Sequence, residues 1–292
     1  MIPSAYIQEW SVTTPWRDPR QVEQDLLICR ALCDIFSEPF LAERLAFRGG
    51  TAIHKLLFRQ PLRYSEDIDL VQLRAEPIGP TVNALRDVLS WLGPFRRNAA
   101  GHSLHLQYRF VPESDPTGRA NVKVEINTRE HGHHYGLRTY PFAVENPWFT
   151  GQASIVSFEP QELFGTKLRA LLQRRKGRDL FDFHVGFQRL MIDQVRVLAV
   201  FMHYMAQDGT TISRANAEER MLGKLARSLT EDIAPLLAPD IVYGDREALD
   251  AFARVWFSLV AGLPGEPWGK SAAVIDEFRA TSLPGLLQPK DA

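Results

Sequence analysis

A chain of 292 residues with 45% apolar and 24% charged side chains has the ordinary make-up of a folded protein in water, with room for one large core or two modest ones. Its formal charge of −1 excludes a surface that is basic all over, though not a local basic patch. No run approaches the eighteen or so consecutive apolar residues of a membrane helix, and Met1 to Trp16 lacks a basic segment followed by an apolar one, so a cytoplasmic protein with no membrane partner is expected.

In chain order, Asp18-Pro19-Arg20-Gln21 reads as a helix start, with Asp18 as N-cap, Pro19 at the first helical position and Gln21 closing a capping box. That helix runs to about Phe36. Within it Cys29 and Cys33 lie four apart, a spacing open to a redox pair or to small apolar filler, and filler in a reduced compartment is favoured. Residues 41–47 lead to Gly49-Gly50, and Ile53, Leu56 and Leu57 recur at helical spacing from Thr51 to Phe58, where Pro61 closes the stretch. Strands are predicted over 66–73, 103–111 and 121–127, with a helix over 81–92 between the first two.

From Ser157 the pattern turns helical. Pro160 lies near one start, Leu163, Phe164, Leu168, Leu171 and Leu172 recur at helical spacing, and a second helix opens at Asp179. Further helices are predicted over 191–206, 214–225, 231–237, 246–259 and 271–279. The expectation is an α+β chain: a mixed sheet with helices over residues 1–155, then a mostly helical domain over 156–292.

Two clusters carry chemistry. Gly49-Gly50-Thr51 places two small residues before a helix, where backbone N–H groups can approach a phosphate, although a doublet of glycines also makes an ordinary tight turn. Ser65-Glu66-Asp67-Ile68-Asp69-Leu70 puts two carboxylates on one face of a strand, because residues two apart share a face. Two like charges held together on a half-buried sheet are costly unless a cation stands between them. In the strand 121–127, Glu125 falls on the polar face with Lys123 and Asn127, open to being a third carboxylate of the site or a surface glutamate. His131, His133, His134 and Glu130 invite a zinc reading; their spacing fits no tetrahedral site, and a polar turn explains them.

Gly49-Gly50-Thr51, then Arg63-Tyr64-Ser65-Glu66-Asp67-Ile68-Asp69-Leu70, then Lys167-Leu168-Arg169-Ala170-Leu171 with Arg174, Lys176 and Arg178-Asp179-Leu180-Phe181-Asp182, resemble the AbiEii/AbiGii group of nucleotidyltransferase-like toxins, which includes the mycobacterial MenT toxins. The resemblance covers about residues 46–185. It implies a polymerase-β-like nucleotidyltransferase fold and the toxin half of a toxin–antitoxin or phage-defence pair, so a cognate antitoxin is an expected partner. It further implies transfer of a nucleotide from an NTP to RNA, with tRNA 3′ ends the acceptor in the MenT case, and a block to translation.

Carried over by residue, the resemblance makes Asp67, Asp69, Lys167 and Asp182 catalytic, with Asp179 an alternative to Asp182. Gly49, Gly50, Thr51, Ser65 and Lys167 would bind the nucleotide, Lys167 as a mobile cation on its phosphates. Asp67 and Asp69, with Glu125 by analogy to the wider superfamily, would hold one or two Mg²⁺ ions, hard cations suited to carboxylate and phosphate oxygens. Lys167 and Asp182 are expected to reach the cleft from the helical domain. The densest positive segment, with Arg169, Arg174, Arg175, Lys176 and Arg178, suits an RNA backbone, extended by Arg96 and Arg97, or is simply a solvated face. Two alternatives stay open: a silent nucleotide- or partner-binding module of the same fold, and a transferase acting on a protein or small molecule.

Overall fold

A computed structural model describes residues 2–101, 103–174 and 176–288. The chain forms two compact units, one of Met1–Glu159 with Leu236–Ile241, the other of Pro160–Pro235 with Val242–Ala292.

The first unit contains α1 (Ser4–Trp10), α2 (Pro19–Ser37), α3 (Pro39–Ala42), β1 (Leu45–Arg48), α4 (Gly49–Leu56), β2 (Asp67–Gln72), α5 (Gly79–Val88), β3 (Phe95–Ala100), β4 (Ser103–Phe110), β5 (Ala120–Asn127), β6 (Leu137–Asn146) and β7 (Phe149–Phe158). Among the described residues the strands make one sheet in the order β3-β4-β5-β2-β1-β7-β6. β2 pairs parallel with β5 and antiparallel with β1, so it is a central strand, covered by ladder bonds on both sides. Alternation sends Ile68 and Leu70 of β2 and Val122, Val124 and Ile126 of β5 into the core, leaving Asp67, Asp69, Lys123 and Glu125 on the opposite face. Asp18 caps α2 by accepting from the Arg20 amide at 2.9 Å. α2 packs on β7, β6 and β5, and its buried polar residues are partnered, as burial demands: Gln24 donates to the Asn121 carbonyl and Glu23 accepts from the Glu113 amide. Cys29 and Cys33 are buried thiols with no disulfide.

Several expectations need correction. The segment before the glycines is not a mere lead but β1, a short strand sealed against β2 and β7. The glycines open α4 itself, and no separate loop precedes it. The stretch 81–92 is α5 followed by a 3₁₀ turn at Ser90–Leu92. The hairpin of β6 and β7 escapes a pattern reading because Pro141 interrupts it; at the sheet's edge a proline removes no needed donor. Its two-residue turn is set by Asn146, whose side chain accepts from the Trp148 amide at 2.9 Å. β3, at the other edge, carries exposed Arg96 and Arg97, charges that discourage pairing with a further strand. The helix predicted over 231–237 shrinks to a 3₁₀ turn at Ala234–Leu236, since Pro235 cannot sit inside an α-helix. The residues that follow return to the first unit, Leu237 bridging to Arg63 and Leu236 accepting from the Tyr64 amide.

The second unit contains α6 (Pro160–Gln173), α7 (Gly177–Arg189), α8 (Gln194–Gln207), α9 (Arg214–Leu222), α10 (Asp245–Ser258) and α11 (Ser271–Thr281). α6 packs on α8 closely enough that a Cβ on Gly165 would lie 2.4 Å from Val200 Cγ1. α7 packs on α6 and α10 and begins two residues earlier than its Asp179 suggests.

Candidate active site

Sheet register assembles the acidic face. One row across four strands reads Arg48 on β1, Asp69 on β2, Glu125 on β5 and His105 on β4; the neighbouring row pairs Asp67 with Lys123. Directly opposed side chains on adjacent strands stand about 5 Å apart at the Cβ atoms, so Asp69 meets Glu125 as a like charge. The carboxylates are unequally compensated. Lys123 Nζ lies 3.1 Å from Glu125 Oε2 and 3.6 Å from Asp67 Oδ1, and His105 Nε2 lies 3.3 Å from Glu125 Oε2. Arg48, across from Asp69, is turned to an ion pair with Glu130. Asp69 has no hydrogen-bond or ion-pair partner among the described residues.

These surroundings set the acidities. Burial, then the charges of Asp67 and Glu125, push the Asp69 carboxyl up to about 6. Burial also raises Glu125, but the hydrogen bonds from Lys123 and Ser103 and the Lys123 charge outweigh it and hold the carboxyl below its ordinary value.

The glycine doublet meets this face. Gly49 has φ +83°, a left-handed conformation natural to glycine, and a Cβ there would sit 2.1 Å from Asp69 Oδ2. The missing side chain is what lets the chain turn from β1 into α4 directly against the carboxylate. No side chain caps α4, whose first N–H groups therefore lack a side-chain acceptor beside the acids. Thr51 fastens the two motifs. Its hydroxyl lies 2.6 Å from the Asp67 carbonyl, which can only accept, so the Thr51 proton goes there and Ser65, also at 2.6 Å, donates to Thr51. Thr51 is almost wholly buried and Ser65 half-buried, so Ser65 is the hydroxyl with access to a ligand.

The remaining predicted site residues lie in the helical unit and form a different arrangement. Lys167 Nζ sits 2.8 Å from Asp182 Oδ2 and 3.2 Å from Asp179 Oδ1, while Arg174 grips Asp179 with two bonds of 2.7 Å. Asp179 and Asp182 side chains are 0% exposed and Lys167 4%. Burial raises the Asp179 carboxyl, yet the Lys167 charge and the Arg174 bonds hold it below the ordinary range. The expected mobile lysine is thus a fixed one, clamped between α6 and α7. The basic stripe is likewise partly spent: Arg169 pairs with Asp208 at 3.0 Å and Arg174 with Asp179, while Lys176 is exposed and Arg178 half-exposed at the start of α7. Arg175 lies outside the described residues.

Among the described residues no group of three His, Cys, Asp or Glu closes on a point that would hold a metal ion. Asp67, Asp69 and Glu125 share a face but stay apart, with Lys123 between two of them. His131 Nδ1 donates to the Gln72 carbonyl, 2.8 Å away, as a turn residue would. Sequence reasoning placed Lys123 on the polar face and assigned it nothing; its spacing of two from Glu125, opposite Asp67-x-Asp69, was the available signal.

The family model described as nucleotidyl transferase AbiEii toxin, type IV toxin–antitoxin system, matches residues 30–255. No curated protein sequence matches the chain. The solved structure of MenT4, a nucleotidyltransferase toxin from Mycobacterium tuberculosis H37Rv, superposes with a TM-score of 0.63 over 96% of each chain at 18% identity, a likeness of fold. An H. pylori protein provisionally assigned as a nucleotidyltransferase matches more loosely, with a TM-score of 0.47 at 14% identity over 82% of this chain and 95% of that one. With a mixed α+β architecture shared with MenT4 and a family match across most of its length, the chain belongs to the AbiEii nucleotidyltransferase toxins of type IV toxin–antitoxin systems.

Proposed function

We propose that this toxin transfers a nucleoside monophosphate from an NTP to an RNA 3′ hydroxyl, a tRNA end above all, with pyrophosphate released and translation blocked as the result. The observation that carries the reading is the contact of Gly49 with Asp69, which brings a helix start without a side-chain cap and a strand of acids to one place. Backbone N–H groups at a helix start suit phosphate oxygens. Gly50 and Thr51 amides would donate to the triphosphate, the Ser65 hydroxyl would turn its one proton from Thr51 to the same phosphates, and Thr51 would stay bonded to the Asp67 carbonyl. Attack of the acceptor oxygen on the α-phosphorus needs positioning and charge stabilisation more than covalent help from the protein.

The residues present fit a Mg²⁺ ion. Hard carboxylate oxygens are its usual protein ligands, and Asp69, poorly acidic beside two other carboxylates, marks a surplus of negative charge that a cation would relieve. Asp67 and Asp69 would hold it, with Glu125 adjacent. Such an ion would neutralise charge developing on the phosphates. Lys167 and Asp182 serve in this reading as a fixed ion pair of the helical unit, and exposed Lys176, Arg96 and Arg97 with half-exposed Arg178 as contacts for the RNA backbone.

Incubation of the purified protein with total tRNA, Mg²⁺ and each labelled NTP in turn tests the proposal. Label should enter RNA with at least one nucleotide and be lost with Asp67→Ala, and expression of Asp69→Ala should no longer arrest growth. Unlabelled RNA with all four nucleotides would defeat it. That result would favour a silent binding module, the reading to which Lys123 in the gap between Asp67 and Glu125 lends support.

A further inference from the structure

Lys123 is a cation placed inside the acidic row by strand register alone. It stands opposite Asp67 on β2 and two residues before Glu125 on its own strand, so both carboxylates share its face. Its ammonium is 3.1 Å from Glu125, a hydrogen bond, and 3.6 Å from Asp67, a looser ion contact. The side chain is about a quarter exposed, as are its two partners, so the ammonium has a path to water. Burial depresses its basicity, but the charge of Asp67 and the Glu125 bond more than restore it and keep it protonated. Asp69 receives none of this compensation at bonding distance.

Resting on the metal-dependent reading above, we infer that Lys123 is an internal countercation that competes with divalent metal for Asp67 and Glu125, so that the nucleotide-free protein takes up one ion, at Asp69 and Asp67. Three carboxylates and one ammonium leave two negative charges, which one divalent ion cancels. A second ion would have to displace the ammonium from Glu125, giving up a charge-assisted hydrogen bond in a half-buried place. Lys123 therefore ties the acidic face together before metal arrives, and a second ion is left to arrive with the triphosphate.

The test is a Mn²⁺ titration of the full chain without nucleotide, reading free ion by electron paramagnetic resonance. Wild type should bind one ion per chain. Lys123→Met, which keeps the stem and removes the charge, should bind a second ion or hold the first at least tenfold tighter, while Lys123→Arg stays near wild type. Lys123→Gln, run in parallel, carries the comparison if the methionine variant does not fold, with thermal melts as the check. Equal stoichiometry and an affinity within twofold for wild type and the neutral variants would overturn the role of Lys123 and leave the metal reading standing. Failure of every form to bind Mn²⁺, or binding that Asp69→Asn leaves unchanged, would overturn both.

Discussion

The two carboxylate clusters of this toxin are built on opposite electrostatic plans. In the helical unit Asp179 and Asp182 are fully buried, and every charge there is answered, Lys167 between the two acids and Arg174 gripping the first. On the sheet, Asp67 and Glu125 keep about a quarter of their side-chain surface in water and share a single ammonium, while Asp69 has no partner at bonding distance among the described residues. A compensated buried cluster is satisfied and resists change, because loss of one member strands the others in a low-dielectric medium. An under-compensated, half-open one is in a state that a ligand improves. Charge balance thus separates a cluster that is satisfied as it stands from one that, in the proposed reading, takes up metal and nucleotide.

Removing Lys167 should give the largest effect. Lys167→Ala removes the ammonium that buried Asp179 and Asp182 share, and breaking a buried pair in this way costs about 3–5 kcal/mol. Urea unfolding should show that loss, and inactivity would follow from it. If the variant instead melts like wild type yet transfers no nucleotide, the lysine is a working cation and the contrast between the two clusters fails.

Gly49→Ala comes next, at about 2 kcal/mol. Left-handed backbone costs an L-residue roughly 1–2 kcal/mol, and a Cβ 2.1 Å from Asp69 Oδ2 must push the carboxylate aside. A double-mutant cycle sharpens the point: in an Asp69→Ala background the clash is gone and only the backbone part of the cost should remain. Equal costs in both backgrounds would mean that Gly49 and Asp69 do not touch in solution.

How far the sequence disclosed this arrangement depends on the kind of signal. The strand with Asp67 and Asp69 and the strand with Glu125 are legible because each alternates apolar and polar residues with a covered face. Their neighbourhood is not, since β5 is reached only after α5, β3 and β4, and nothing local states that Asp69 will stand opposite Glu125. The same holds for Leu236–Ile241, which belongs to the sheet unit through a pairing of residues more than 170 positions apart. Edge strands are harder still, because their exposed faces, with Pro141 in β6 and Arg96 and Arg97 in β3, obey solubility more than alternation. Lys167 and Asp182 could be found by motif, but not their burial, which decides what kind of residues they are.

Asp69 offers the smallest effect and the one of opposite sign. Its carboxyl, pushed up to about 6 in the folded protein, ionises near 4 when unfolded. Between those values the unfolded chain has lost a proton that the folded chain retains, so stability contributed by this group falls as pH rises from about 4 to 6 and stays low above. A gap of that size between the folded and unfolded carboxyl is worth roughly 3 kcal/mol, and partial access to water reduces the expected figure to about 1–2 kcal/mol. Asp69→Asn should accordingly melt higher than wild type at pH 7.5, match it near pH 4, and transfer no nucleotide. Mg²⁺ should raise the melting point of wild type at pH 7.5 and leave that of the asparagine variant nearly unmoved, since a bound ion relieves the same repulsion that the substitution abolishes. A variant no more stable than wild type at neutral pH would mean that Arg48 or water already answers the charge, and the acidic face would lose its claim to be waiting for a cation.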